Sequence, residues 1–142
     1  MSYEDNLKPL SFCRTVEEFF ASYCYLKRAS QTPVNSNLHF FREGLTPMWE
    51  FFPEGGCWIL RLPHRIGLSL IDKMWESALL ACIGESLSDK TVGVLLSTRF
   101  SETLIQIWLK NVRDKTAVMD KIRSVAIPKV PRGLQFYFKE HR

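Results

Sequence analysis

Little in this 142-residue chain could build a metal centre, a disulfide framework or a membrane span. It has four cysteines and three histidines. Cys13, Cys24, Cys57 and Cys82 stand far apart with no C-x-x-C pair, so neither zinc ligation nor a disulfide scaffold is signalled, and all four read as reduced thiols in or near a core. No apolar run reaches the length of a bilayer span, and the opening Met1-Ser2-Tyr3-Glu4-Asp5-Asn6 has neither a basic start nor an apolar signal stretch. The expectation is a soluble, intracellular protein without a membrane role. There is no internal repeat and no low-complexity linker. His39, His64 and His141 are scattered, with no carboxylate or cysteine spaced to make an acid–base or nucleophilic pair. A binding protein is therefore expected rather than an enzyme, and no cofactor is implied.

What the chain does have is a core. Hydrophobic residues make up 46% and charged residues 24%, enough apolar surface for one globular domain of this length. The net charge of +4 and the isoelectric point near 9.0 lean mildly towards anionic partners, although a sparse excess of Lys and Arg also suits a plain soluble surface.

Local signals divide the chain into alternating helices and strands. Thr15-Val16-Glu17-Glu18 is a capping box that predicts a helix to about Lys27, burying Val16, Phe19 or Phe20, and Tyr23. A polar loop containing Pro33 follows, then a short strand at His39–Arg42. Cys57–Leu62 is a stronger strand, whose Trp58/Leu60/Leu62 face should be the more buried. Ser69 to Ile83 is the clearest helix, with Ser69 and Asp72 as its start signals and Gly84 as its stop. Its broad apolar stripe calls for a sheet to pack on. Val92–Thr98 and Leu104–Leu109 are adjacent strands joined as a hairpin. In the second, Ile105, Ile107 and Leu109 share the face for helices to cover, which leaves Gln106 and Trp108 on the open one. An Asn111 cap begins a third helix to about Val125, and Leu134–Phe138 is a last strand. Mostly antiparallel strands with helices on one face make an α+β domain.

One loop concentrates the chemistry. Thr46-Pro47-Met48-Trp49-Glu50, followed by Pro53 and the Gly55-Gly56 turn, sets a flat aromatic face beside a carboxylate. Such a pair suits a planar cation carrying N–H donors, and it would equally describe a core Trp next to a solvated Glu.

The chain resembles the eukaryotic translation initiation factor 4E family, which binds the 7-methylguanosine cap of messenger RNA. The resemblance is carried by Thr15-Val16-Glu17-Glu18-Phe19, Pro47-Met48-Trp49-Glu50, Gly55-Gly56 before Trp58, Trp75 with Leu79-Leu80, Ile83-Gly84-Glu85-Ser86, Arg99 with Ile107-Trp108, and Pro128-Lys129. These blocks keep one order and cover nearly the whole chain. They imply a curved, mostly antiparallel sheet with three helices on its convex face and the ligand on its concave face. They also imply a single domain over residues 1–142 without the family's first strand and C-terminal loop.

The resemblance assigns roles residue by residue. Tyr3 and Trp49 match the pair that stacks on the methylated base, Tyr3 standing where the family has a second Trp. Glu50 matches the carboxylate that accepts the guanine N1 and N2 hydrogens, and Trp108 the residue that touches the N7 methyl. Arg99 matches a phosphate-binding arginine. Other basic positions are lost: a second family arginine falls on Cys57, and the hairpin carries Ser101 and Leu104. The phosphate grip is therefore expected to be thin, or supplied by others such as Lys110, Arg61 or the C-terminal Lys139 and Arg142. On the helical side, Val16 and Phe20 match residues that hold a scaffold of the initiation factor 4G type or a competing 4E-binding protein. Glu76 stands where the family is apolar, which implies an altered partner motif.

The function expected is cap binding by a monomeric translation factor in the cytoplasm or nucleus. The alternative is the same fold acting as a protein-interaction module with weak or lost cap binding.

Overall fold

The computed structural model describes residues 16–23, 28–42, 45, 48–83, 90–126 and 134–141. Five apolar or alternating runs form one open, curved antiparallel sheet: β1 (Asn37–Phe41), β2 (Gly56–Pro63), β3 (Thr91–Thr98), β4 (Glu102–Leu109) and β5 (Phe136–Glu140), in the spatial order β1-β3-β4-β2-β5. Three helices, α1 (Val16–Tyr23), α2 (Leu68–Ile83) and α3 (Lys115–Lys121), accompany it.

Strand register sorts the side chains into two faces, because successive residues point to opposite sides. Leu38, Leu96, Ile105, Leu60 and Phe136 align across the sheet, as do Phe40, Val94, Ile107, Trp58 and Phe138. This all-apolar face packs on Ile71, Met74, Trp75, Ala78 and Leu79 of α2, on Phe19 of α1 and on Val118 of α3, forming the main core. The other face carries the rows Phe41, Gly93, Trp108, Cys57, Lys139 and His39, Leu95, Gln106, Ile59, Tyr137. All eight residues of β3 are buried, as its near-continuous apolar run requires.

Several boundaries differ from those read in the sequence, each for a tertiary reason. The α2 helix starts one residue earlier, directly after Gly67, whose carbonyl accepts the first helical bond from the Ile71 amide and whose φ is +103°. Ser69 is thus inside the first turn and not a cap. Asp72 accepts from the Ser30 amide and hydroxyl, both at 2.8 Å, so it anchors the polar loop instead of starting the helix. β5 begins two residues later than expected, because Trp58 sits between Phe136 and Phe138 with both ring centroids 5.1 Å away. The third helix is broken into a 3₁₀ turn, α3 and a π-helical turn, with Asn111 Oδ1 accepting from the Arg113 amide at its start. Phe19, of the expected Phe19/Phe20 pair, is buried. The Thr15 cap, the Gly84 stop and residues 24–27 lie outside the described residues, as do the side chains of Val16, Phe20 and Tyr23. Cys57 is buried and Cys82 half-buried, both as free thiols.

Candidate functional site

The concave face holds a second, smaller core centred on Trp108. Strand alternation puts the Trp108 indole opposite the helices, as the sequence predicts, yet only 6% of it is exposed. Phe41 meets it edge-on at 5.3 Å, Phe52 at 6.1 Å, and His141 lies against it at 4.7 Å. Cys57, Ile59, Val92 and Leu95 complete the cluster. The outward-looking Trp108 expected from alternation is thus lidded by rings from three other segments. Its Nε1 donates to Gln106 Oε1 at 3.0 Å, which fixes the indole plane. Gly93 makes this packing possible, since a side chain there would collide with the Phe41 ring.

The loop bearing Trp49 and Glu50 is tied to this cluster. Trp49–Phe51 forms one 3₁₀ turn, closed by the Phe51 amide on the Met48 carbonyl at 3.1 Å. Phe52 then turns inwards and is buried, while Glu50 stays exposed with no hydrogen bond or ion pair among the described residues. The Phe52 carbonyl accepts from His141 Nδ1 and from the Gly55 amide, both at 2.9 Å. The His141 amide donates to the Gly55 carbonyl at 3.0 Å, and the Val112 amide to the Glu54 carbonyl at 2.9 Å. Gly55 lies so close to the Leu109 carbonyl that no Cβ would fit. A turn anchored at so many points presents its carboxylate in a fixed direction. Trp49 shares this turn through its backbone; its side chain, and all of Tyr3, lie outside the described residues.

Burial shifts the titrations here. It lowers the pKa of His141, with the Phe52 carbonyl opposing and Lys139 assisting, and it lowers that of His39. The buried Cys57 thiol is pushed up to about 11, Lys139 opposing, so it stays protonated and unreactive. His141 Nε2 is buried without a hydrogen-bond partner. His141, Phe52 and Gln106 carried no assigned role in the sequence. Extending the β5 alternation from Tyr137 through Lys139 to His141 would have brought the last of them to this face.

The basic residues are dispersed. Arg61 lies on the concave face and forms a two-pronged ion pair with Glu102, Nε donating to Oε2 at 3.1 Å and Nη2 to Oε1. Arg99 begins the turn after β3, half-exposed, with no ion pair among the described residues. Lys110 is exposed just past the opposite end of β4, about 25 Å away at ordinary strand rise. Arg99 and Lys110 are therefore not brought together. On the helical side, Glu76 is half-buried beside the fully buried Trp75.

Comparison with known proteins gives this arrangement its context. The family model for Eukaryotic initiation factor 4E matches residues 1–142. Eukaryotic translation initiation factor NCBP of Arabidopsis thaliana is 39% identical over 145 residues, covering 99% of this chain; the chain spans 64% of that relative's length. Ascaris suum eIF4E-3, solved with an m2,2,7G cap, superposes with a TM-score of 0.87 at 26% identity over 100% of this chain and 82% of its own. Caenorhabditis elegans eIF4E-3, solved with the 4E-binding protein Mextli and a cap analog, gives 0.80 at 26% identity over 96% and 82%. A match along every residue, together with the same curved sheet backed by helices, places the chain in the eukaryotic initiation factor 4E family.

Proposed function

We propose that the concave face binds the 7-methylguanosine cap of messenger RNA, and that the protein acts without catalysis as an initiation factor 4E-type translation factor. The observation that carries the reading is Glu50: an exposed carboxylate, unpaired among the described residues, on a turn that also holds Trp49 and is pinned through Phe52 beside Trp108. N7-methylation makes guanine a planar cation. Stacked on Trp49, with Tyr3 as the second face, such a base gains about 1–3 kcal/mol per face, and its charge adds about 0.5–2 kcal/mol. Glu50 accepts N1–H and N2–H, each charge-assisted bond contributing on the order of 1.5–3 kcal/mol.

Trp108 is the residue for the N7-methyl contact, which it makes only when the Phe41, Phe52 and His141 rings over it part, and Arg99 is the main phosphate contact, its planar fork suited to two oxygens at once. Arg61 contributes only when it leaves Glu102, and Lys110 is a minor candidate at the far end of β4. The related worm proteins solved with caps support the ligand class. The helical face, with Val16, Phe20 and Glu76, is the surface for a 4G-type scaffold or a 4E-binding protein, as the Mextli complex of the nematode relative suggests. No helix among the described residues is long and apolar enough to cross a membrane. A monomer working in the cytoplasm or nucleus is the setting we infer.

Quenching of Trp fluorescence by 7-methyl-GTP and by GTP tests the reading. A clear preference for the methylated nucleotide is expected, and equal affinity would overturn it.

A further inference from the structure

The most exposed large apolar side chain among the described residues has no place in the site above. Phe100, at the tip of the β3–β4 turn, is 87% exposed. It borders an open groove of about 430 Å³ lined by Pro63, His64, Arg65, Phe100, Ser101 and Glu102. The groove is built from two segments that are locked together. The His64 amide donates to the Ser101 carbonyl at 2.9 Å, and His64 Nε2 lies 3.0 Å from Thr103 Oγ1.

Its charge is positive in effect. Both oxygens of Glu102 are occupied by Arg61, whereas Arg65 is exposed and Arg99, immediately before Phe100, has no ion pair among the described residues. An exposed ring beside guanidinium groups that have no ion pair among the described residues, with the exposed Ser101 next to it, is the composition that single-stranded nucleic acid selects: the base stacks on the ring while the cations meet the backbone. An acidic or purely apolar partner would leave one half of that composition unused.

Position supplies the direction. Trp108 lies five residues along β4 from Thr103, about 17 Å at ordinary strand rise, so the Trp49–Glu50 turn and the Phe100 turn mark opposite ends of the sheet. A chain leaving the guanine and passing Arg99 arrives at Phe100. We propose that Phe100, with Arg65, forms a stacking subsite for a transcribed nucleotide of the RNA downstream of the cap. This rests on the cap-binding reading for its polarity, but the subsite has its own readout.

The test measures affinities of 7-methyl-GTP, GTP, a capped five-nucleotide RNA and the same RNA uncapped, for the wild-type chain and for Phe100→Ala, Phe100→Trp and Arg65→Gln. The wild type should bind the capped RNA more tightly than 7-methyl-GTP. Phe100→Ala should lower capped-RNA affinity about fivefold or more, the low end for one base on an aromatic face. Its affinity for 7-methyl-GTP should not change, and Phe100→Trp should retain RNA binding. Arg65→Gln should reduce the salt dependence for capped RNA by about 0.7 in log–log slope, one phosphate's share for a single strand. Unchanged RNA affinity in Phe100→Ala, or an equal loss for 7-methyl-GTP and RNA, would overturn the subsite. Equal binding of 7-methyl-GTP and GTP would instead overturn the cap reading. The uncapped RNA then decides the subsite alone, with loss on Phe100→Ala sustaining it and no loss overturning it.

Discussion

The imidazole of His141 lies against the indole of Trp108, ring centroids 4.7 Å apart and planes inclined by 56°. Through Nδ1 and its own amide the same residue holds the Phe52 and Gly55 carbonyls. The end of the last strand thereby positions the turn that carries Glu50, although it is distant from that turn in sequence.

His141→Ala should consequently weaken binding of 7-methyl-GTP without removing any ligand contact. It loses one hydrogen bond, about 0.5–1.5 kcal/mol, and a ring contact of similar size, so global stability should fall by about 1–3 kcal/mol. His141→Phe keeps the ring contact and should fall between. Denaturant titration and nucleotide titration of both variants check this, and full affinity in His141→Ala would remove the positioning role.

Stability should also depend on pH in a window set by the two half-buried imidazoles. His141 and His39 are both held below the ordinary value of 6.5 by burial. The unfolded chain then binds more protons than the folded one below 6.5. Stability is complete above that pH and is lost as pH falls from 6.5 through the folded pKa values. Thermal unfolding should change little from pH 7.5 to 6.5 and then fall steadily to pH 5, with a shallower fall in His141→Phe.

Glu50→Gln should separate recognition from folding. The carboxylate is exposed and makes no hydrogen bond or ion pair among the described residues, so the unfolding midpoint should stay put. Affinity for 7-methyl-GTP should drop about ten- to hundredfold, the size of one lost charge-assisted bond. Calorimetric titration beside thermal unfolding measures both, and a drop in midpoint with unchanged affinity would place Glu50 in the scaffold.

The ion pair of Arg61 with Glu102 neutralises a cation on the concave face. Glu102→Gln should release it and raise affinity for 7-methyl-GTP about two- to tenfold, the size of one ordinary net hydrogen bond of about 0.5–1.5 kcal/mol. The gain should be larger for the triphosphate than for 7-methyl-GMP. Equal change for the two nucleotides would show that Arg61 does not reach the phosphates.

Gly55→Ala should act on the loop from beneath. Its Cβ would collide with the Leu109 carbonyl, which is strand backbone and cannot move aside cheaply. A loss of about 1–3 kcal/mol is expected, with cap affinity falling alongside. Circular dichroism melts and nucleotide titration report the two together.

The long, strongly patterned segments were legible in the sequence. The α2 stripe, the β3–β4 hairpin and the division of β4 into an Ile105/Ile107/Leu109 face and a Gln106/Trp108 face follow from periodicity alone. The small core around Trp108 was not, because its rings come from β1, the loop after Trp49, β4 and the end of β5. No local window contains Phe41, Phe52 and His141 together. Asp72 was misread for a related reason: an acidic residue in a first helical turn looks like a start signal, and only the fold brings Ser30 to it. The two-residue shift of β5 likewise came from its partner, since pairing with Trp58 outweighed the local pattern. Arg61 looked available as a cation because nothing in the sequence reveals that Glu102 faces it.

Among the described residues β5 is an edge strand, paired with β2 alone. Edge strands open at lower free energy than strands paired on both sides, such as β3. Because His141 joins the tip of β5 to Phe52 and Gly55, fraying at that tip releases the Glu50 turn in the same event. The persistence of the Glu50 turn is thus tied to an outer strand of the sheet, and amide exchange in residues 136–141 and 50–55 should proceed as one cooperative unit.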